Sequence, residues 1–153
     1  MNKPISFLVA AFTLFPLSGC VNTRKPVKYL ILANFVGWAK VKYKVAGASS
    51  LPLEEQSFVV RVPRSGVVET SDSPENGVAK DEFYYVNGGQ RQLLDSKSGW
   101  GGKMMIWGGT LSGERDVKTS NGKVTSVFDP DTFHFFVGTE QQFKKARATP
   151  PIE

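Results

Sequence analysis

The chain has one cysteine and one histidine among its 153 residues. The single cysteine, Cys20, excludes a disulfide within the chain, so the fold must be stabilised by packing. The single histidine, His134, leaves few nitrogen or sulfur ligands for zinc, and only carboxylates could complete such a site. These two scarcities exclude disulfide-stapled scaffolds and argue against zinc centres built from histidine and cysteine.

The chain also lacks the short motifs of common hydrolases and nucleotide-binding enzymes. It has no Gly-x-Ser-x-Gly elbow, no His-Glu-x-x-His pair and no phosphate loop ending in Gly-Lys-Ser/Thr. Each motif supplies a geometry that its chemistry needs, so its absence argues against the corresponding enzyme class. We therefore expect a protein that is not an enzyme and has no catalytic residue, metal or cofactor.

No apolar run is long enough to cross a membrane. The run from Ile5 to Leu17 covers 13 residues and is interrupted by Pro16, whereas a spanning helix needs about 20. Lys3 precedes the run, and the small residues Ser18 and Gly19 follow it. A basic start, a brief apolar core and small residues at a cleavage point are the layout of a secretory signal peptide.

Residues 17–20 read Leu-Ser-Gly-Cys and resemble the lipobox of bacterial lipoproteins. The resemblance implies that residues 1–19 are removed and that Cys20 becomes the first residue, carrying fatty acyl chains such as palmitate. The protein would then be anchored in the cell envelope. Because Val21 rather than an acidic residue follows, the resemblance implies the outer membrane in a bacterium with two membranes. The alternatives are an uncleaved span and an ordinary signal with an accidental cysteine.

Blocks of like charge are absent as well. One of the 19 Lys and Arg residues, Lys3, lies in the signal peptide, and the others outnumber 14 Asp and Glu residues. A basic excess could mark a nucleic-acid or anionic-lipid footprint. The basic residues are scattered, however, as at Lys40, Lys42 and Lys44, which is typical of a solvated face. Export would also separate the protein from nucleic acid, so we expect no such partner.

The mature chain is long enough for one domain with a core of its own. We predict a lipidated tether over residues 20–27, a β domain over 28–148 and a loose tail over 149–153. The tether lacks apolar periodicity, so nothing in it favours an ordered conformation.

Alternating apolar residues predict that the body consists of short β-strands. In the segment Trp38–Val45, Val41 and Tyr43 alternate with lysines, which is typical of a strand with one wet face. Residues 33–37 contain Asn and Gly and are predicted to close a hairpin. The number and spacing of the strands predict an all-β fold, a single antiparallel β-sandwich of the Ig-like or transthyretin-like type. The predicted strands are 28–32, 38–45, 58–62, 67–70, 82–86, 91–94, 104–107, 124–128 and 133–137.

One short helix is predicted near the C-terminus. Thr139 and Gln142 have the spacing of a capping box, in which each side chain bonds the other residue's backbone N–H. Phe143 would be the apolar anchor of this helix, and Pro150 would end it.

The candidate site residues each have a structural alternative. His134 could be a general base, but it lies between two phenylalanines in a predicted strand, so it points to the opposite, wetter face. Asp129 and Asp131, with Asp116, could bind a hard cation, but Asp-Pro-Asp is also a turn sequence. Neighbours in a strand such as Asp81 and Glu82 cannot flank one bond together, so they are interpreted as a turn residue and an edge charge.

A glycine-rich segment offers the best internal candidate for binding. It contains Trp100, Lys103 and Trp107, and two tryptophans among glycines could form a stacking platform for a sugar ring or a partner side chain. The alternative is that Trp107 belongs to the core and that residues 99–103 form a loop.

Several motifs resemble an uncharacterised family of bacterial lipoproteins that is known as a domain of unknown function. The family opens with a Tyr-Leu-Ile-Pro strand and a Gly-Tyr-x-Gly turn, from which Tyr29–Leu32 and Asn34–Gly37 both depart. Better matches are Val62–Val67, Asp81–Val86 and Phe135–Thr139. The resemblance implies a compact β domain behind a lipid anchor, and it implies no catalytic or binding residue.

Three functions are consistent with these observations. The first is an envelope-anchored binding or structural domain without enzymatic activity, with a protein or envelope component as partner. The second is a small hydrolase or cation-dependent enzyme that uses His134 and nearby carboxylates. The third is a lipoprotein component of a secretion or envelope machine.

Overall fold

The computed structural model describes residues 22–94, 105–111, 114–128 and 131–148. This part of the chain forms strands in three sheets and one helix. The strands and the helix are β1 (Val27–Leu32), β2 (Gly37–Lys42), β3 (Leu53–Glu54), β4 (Ser57–Val62), β5 (Val67–Glu69), β6 (Glu82–Asn87), β7 (Gln90–Leu93), β8 (Met105–Leu111), β9 (Glu114–Lys118), β10 (Val124–Phe128), β11 (Thr132–Gly138) and α1 (Glu140–Ala148).

Two of the sheets form a sandwich. The first sheet has the strand order β3-β4-β1-β6-β7, and the second has the order β5-β2-β11-β8. Their inner faces share one core, to which β1 contributes Tyr29 and Ile31 and β11 contributes Phe135 and Val137. The pleat explains this, because alternate residues of a strand point to the same face. A β-sandwich with one short C-terminal helix is therefore confirmed, and β9 and β10 pair separately as a two-stranded sheet.

The strand pairing is mixed rather than purely antiparallel as predicted. β1 runs parallel to both β4 and β6, and β2 runs parallel to β5. Parallel neighbours require a crossover connection. Here the chain alternates between the two sheets, so a strand of one sheet serves as the crossover between two strands of the other.

The predicted hairpin at residues 33–37 is wrong, because β1 and β2 lie in different sheets. The turn begins with Asn34 in the left-handed region (φ 65°), and Phe35 N–H donates to the carbonyl of Leu32. The Tyr85 hydroxyl then donates to the Phe35 carbonyl at 2.6 Å and holds the connection over the end of the sandwich. Each strand has one apolar face, and both faces are buried when the strands face each other across the core.

Three other differences have local causes. The strand predicted over Trp38–Val45 ends at Lys42, because Lys44 adopts a left-handed backbone (φ 57°). The sequence did not predict β3, which has only two residues, or β9, in which Val117 is the single apolar side chain. A hydrophobic periodicity cannot be detected in β3, because it is too short, or in β9, because it has too few apolar residues.

The helix lies on the outer face of the second sheet. Thr139 N–H donates to Gln142 Oε1 at 2.8 Å, and Gln142 N–H donates to Thr139 Oγ1 at 3.3 Å, so the predicted capping box is confirmed. Phe143 is the anchor: its ring stacks on Trp107 at 5.3 Å and contacts the rings of Trp38 and Phe136. No helix in the described ranges has the length and apolarity that a membrane crossing requires.

Candidate functional site

A cavity of about 290 Å³ lies between the segment before β1 and the loop before β6. Aromatic side chains from both sheets and charged side chains from the two segments meet there. The lining residues are Arg24, Lys25, Val27, Tyr29, Tyr43, Leu51, Phe58, Asp72, Ser73, Pro74, Glu75, Asn76, Gly77, Asp81, Gly109 and Phe133.

Tyr29 and Tyr43 supply hydroxyl groups to the inner wall of this cavity. Tyr29 lies on the core face of β1, where its ring stacks on Phe83 with 4.5 Å between centroids and also contacts Phe133. Tyr43, which follows β2, lines the same cavity. Burial raises the pKa of both tyrosines, that of Tyr29 well above its usual range. Both groups are therefore neutral hydrogen-bonding groups at physiological pH.

An ion pair connects the segment before β1 to the start of β6. The Arg24 guanidinium donates to both carboxylate oxygens of Asp81, at 2.9 Å and 2.5 Å. Asp81 Oδ1 also accepts from the backbone N–H of Val27 at 2.9 Å. The two charged side chains are only 19% and 15% exposed. The hydrogen bond from Arg24 to Asp81 raises the pKa of the guanidinium despite its partial burial, so the guanidinium remains charged.

The loop of residues 71–77 is held by its own carboxylate. Asp72 Oδ2 accepts from Leu51 N–H at 2.6 Å and from the hydroxyl of Thr70 at 3.2 Å. Thr70 is fully buried and bonds Ser49 as well. A buried polar group is stable only when it is hydrogen-bonded, so these contacts give the loop a defined position over the cavity.

The remaining charges at the cavity have opposite signs. The Lys25 ammonium lies 5.3 Å from the centroid of the Phe58 ring, a cation–π contact. The Lys25 backbone N–H donates to Glu75 Oε2 at 3.2 Å. The cavity is thus lined by carboxylates, cations, hydroxyls and aromatic rings. This lining suits a small polar ligand that forms several hydrogen bonds. Within the described ranges, no group of His, Cys, Asp and Glu side chains could hold a metal ion.

Of the three candidate binding residues Trp100, Lys103 and Trp107, the structure describes Trp107, and this residue does not line the cavity. Trp107 is 8% exposed, and its ring nitrogen donates to the carbonyl of Gly138 at 2.8 Å. With Phe143 stacked over it, Trp107 belongs to the core under α1, the alternative weighed from the sequence. Trp100, Lys103 and Cys20 lie outside the described residues.

His134 is buried rather than on a wet face. It alternates with Phe133 as expected, but it is only 7% exposed. It lies on the same face of β11 as Phe136, and that residue packs against the helix. Phe133 lines the cavity and its neighbour points the other way, so His134 is not part of the cavity.

The candidate acidic residues are separated. Asp131 is in a left-handed turn (φ 55°) and pairs with Lys44 at 3.0 Å, which agrees with the turn interpretation. Asp116 accepts from the Ser126 hydroxyl, and Asp129 lies outside the described residues. Glu82 accepts from the Tyr84 hydroxyl, on the same face of β6, whereas Asp81 bonds Arg24.

The segment over residues 22–27 is attached to the domain rather than unordered. Thr23 and Val78 form a parallel bridge, and Arg24 bonds Asp81. Sequence reasoning missed the cavity because its walls come from distant segments: Arg24 and Asp81 are 57 positions apart. The only sequence signals are local, namely an arginine in the tether and an aspartate before an apolar strand.

Comparisons with known proteins agree with this architecture. The sequence profile of a family of unknown function, DUF6843, matches residues 23–134. A solved structure, of a "Putative Lipoprotein from Bacillus anthracis", is 27% identical and aligns with a TM-score of 0.52 over 82% of this chain and 78% of that one. No curated protein matches the sequence.

Proposed function

The chain belongs to the family of unknown function DUF6843, and we propose that it is a lipoprotein anchored in the bacterial cell envelope through Cys20. In this proposal its β-sandwich is a binding domain without enzymatic activity, and the cavity beside Arg24 and Asp81 is the binding site. In a bacterium with two membranes the anchor would lie in the outer membrane.

The observation that carries the proposal is the sequence of residues 1–20. A basic residue, a short apolar run and the stretch Leu-Ser-Gly-Cys occur in the order that a lipoprotein signal requires. The Bacillus anthracis protein, designated a putative lipoprotein, supports it independently. One acyl chain binds a membrane only marginally, whereas two or more chains hold a protein stably. Because a lipoprotein cysteine carries several acyl chains, modification of Cys20 alone would be sufficient for anchoring.

The cavity supports a binding role. It combines neutral hydroxyls of Tyr29 and Tyr43 with charged groups on two segments that hold each other in position. Preorganised polar groups reduce the entropy lost when a ligand binds. The proposed ligand is a small polar molecule, or the polar part of an envelope component, with hydrogen-bonding groups on several sides.

The anchor is tested by metabolic labelling with a palmitate analogue in cells that produce the wild-type chain or Cys20→Ser. We expect label and membrane association for wild type, and loss of both for the variant. Lys118→Ala, at an exposed position in β9, is the matched control and should behave as wild type. Equal labelling of all three chains would refute the anchor.

The binding role is tested by photo-crosslinking in intact envelopes. A photoreactive amino acid replaces Asn76, which is exposed at the cavity, or Asn87, which is exposed at the end of β6. We expect a specific adduct from position 76 and none from position 87. Recovery of nothing specific at position 76, together with catalytic turnover by the purified protein, would overturn the proposal.

A further inference from the structure

We propose that one surface of the domain lies directly against the headgroup layer of the bilayer that holds the anchor. This membrane-facing surface is formed by Asn22, Thr23, Lys25, Val78 and Lys80, all of which are exposed. The inference rests on the proposed function, because it takes Cys20 as the lipidated residue. It adds an orientation that lipidation alone does not give.

The anchor lies a short distance along the chain from the domain. Only Val21 separates Cys20 from Asn22. An extended chain covers about 3.5 Å per residue, so Asn22 lies at most about 7 Å along the chain from the lipidated residue. A tether of that length cannot raise the domain clear of the headgroup layer.

The chain is attached to the domain from Asn22 onward. Val78 N–H donates to the Asn22 carbonyl at 2.8 Å, and Arg24 N–H donates to the Val78 carbonyl at 3.3 Å. Gly77 permits this close approach: it has φ 142°, and a Cβ atom there would lie 2.7 Å from the Asn22 oxygen. The Arg24–Asp81 ion pair follows immediately and prevents the segment from swinging as an arm.

The chemistry of the surface also suits a membrane interface. Val78 is 65% exposed although both its backbone groups are hydrogen-bonded, so an apolar side chain is held in a fixed outward position. Thr23 bridges Val78, and the exposed residues Lys25 and Lys80 follow two positions later in the two bridged segments, with Glu75 accepting from the Lys25 backbone N–H. Apolar side chains beside basic residues are typical of surfaces that lie at the membrane interface.

The orientation has a consequence for the binding site. Arg24 and Lys25 belong to the anchored segment and also line the cavity. The cavity is therefore held close to the headgroups, and its ligand would be the polar part of a molecule at the membrane surface rather than one that is distant from it.

The test places a fluorescent probe at each end of the domain of the full lipidated protein. In this protein the sulfur of Cys20 carries the lipid and is not a free thiol, so Asn76→Cys or Asn87→Cys provides the only reactive thiol. Asn76 lies beside the membrane-facing surface. Asn87 ends β6, which runs parallel to β1, so it lies about six strand residues, roughly 20 Å, beyond the start of β1. Both chains are reconstituted in phosphatidylcholine vesicles that contain a headgroup spin label.

We expect several-fold stronger quenching of the probe at position 76 than of the probe at position 87. A flexible Gly-Ser insert between Val21 and Asn22 should abolish the difference while the protein still floats with the vesicles. Equal quenching without the insert, in protein that floats with vesicles, would overturn the orientation alone. Protein that does not float would refute the anchor itself and the orientation with it.

Discussion

Replacing Asp81 with asparagine should loosen the link between the anchored segment and the β-sandwich. The substitution keeps the shape of the side chain but removes the charge that accepts two hydrogen bonds from Arg24 and one from Val27. The guanidinium remains in place with four-fifths of its side chain buried. A partly buried cation that has lost its partner destabilises the folded state.

The expected cost follows from these contacts. A hydrogen bond to a charged group contributes about 1.5–3 kcal/mol. Asparagine loses the charge, but its amide oxygen in the position of Oδ1 can still accept from Arg24 and Val27, and the site is partly solvated. We therefore expect a loss of about 2 kcal/mol in the free energy of unfolding. Asp116→Asn is the matched control: this aspartate is exposed and accepts from Ser126, and its replacement should cost less than about 0.5 kcal/mol.

Urea unfolding followed by tryptophan fluorescence measures both variants, with unchanged denaturant dependence as the sign that only stability has changed. Arg24→Gln completes a double-mutant cycle, in which the two residues should show a coupling of about 1–2 kcal/mol. Because a partly buried pair is screened less than a surface pair, most of this coupling should persist at high salt. A loss no larger than that of Asp116→Asn, or additive single effects, would refute the reasoning.

Three further predictions concern stability. Burial raises the pKa of Tyr29 above its usual value of 10.0, so the unfolded chain loses this proton first as the pH rises. Tyr29 therefore contributes no pH dependence to the free energy of unfolding well below its usual pKa of 10.0. Above that pH its contribution should lower the free energy of unfolding by up to about 1.4 kcal/mol per pH unit, and Tyr29→Phe should reduce this loss in urea titrations on either side of that pH. Phe143→Ala removes the ring stacked on Trp107, so tryptophan emission should shift to longer wavelength and stability should fall by about 2 kcal/mol; unchanged emission would contradict this packing. Thr139→Ala removes the helix cap and should cost about 1 kcal/mol, measured by urea unfolding, and Thr139→Ser should restore most of it.

Most strands could be predicted from the sequence because their signal is local. In β11, Phe133, Phe135 and Val137 recur at every second position and all face the core, as the pleat of a strand requires. The capping box is local too, because four consecutive residues contain both partners. β9 has few apolar residues, so its sequence shows no alternation from which a strand could be predicted.

Strand pairing and the cavity could not be predicted in this way. Whether β1 pairs with β2 or faces it across the core depends on which arrangement buries more apolar surface, and residues 33–37 are compatible with both. The alternation predicts that Tyr29 lies in a strand, but it meets Tyr43 at the cavity only in the folded domain. The residues of the cavity are brought together by the tertiary fold, which no single segment encodes.

The most direct test of the account is the intact mass of the protein extracted from cell membranes. The account predicts a chain that begins at Cys20 and carries the added mass of its acyl groups. A chain that retains Met1, or one whose Cys20 has a free thiol, would contradict it.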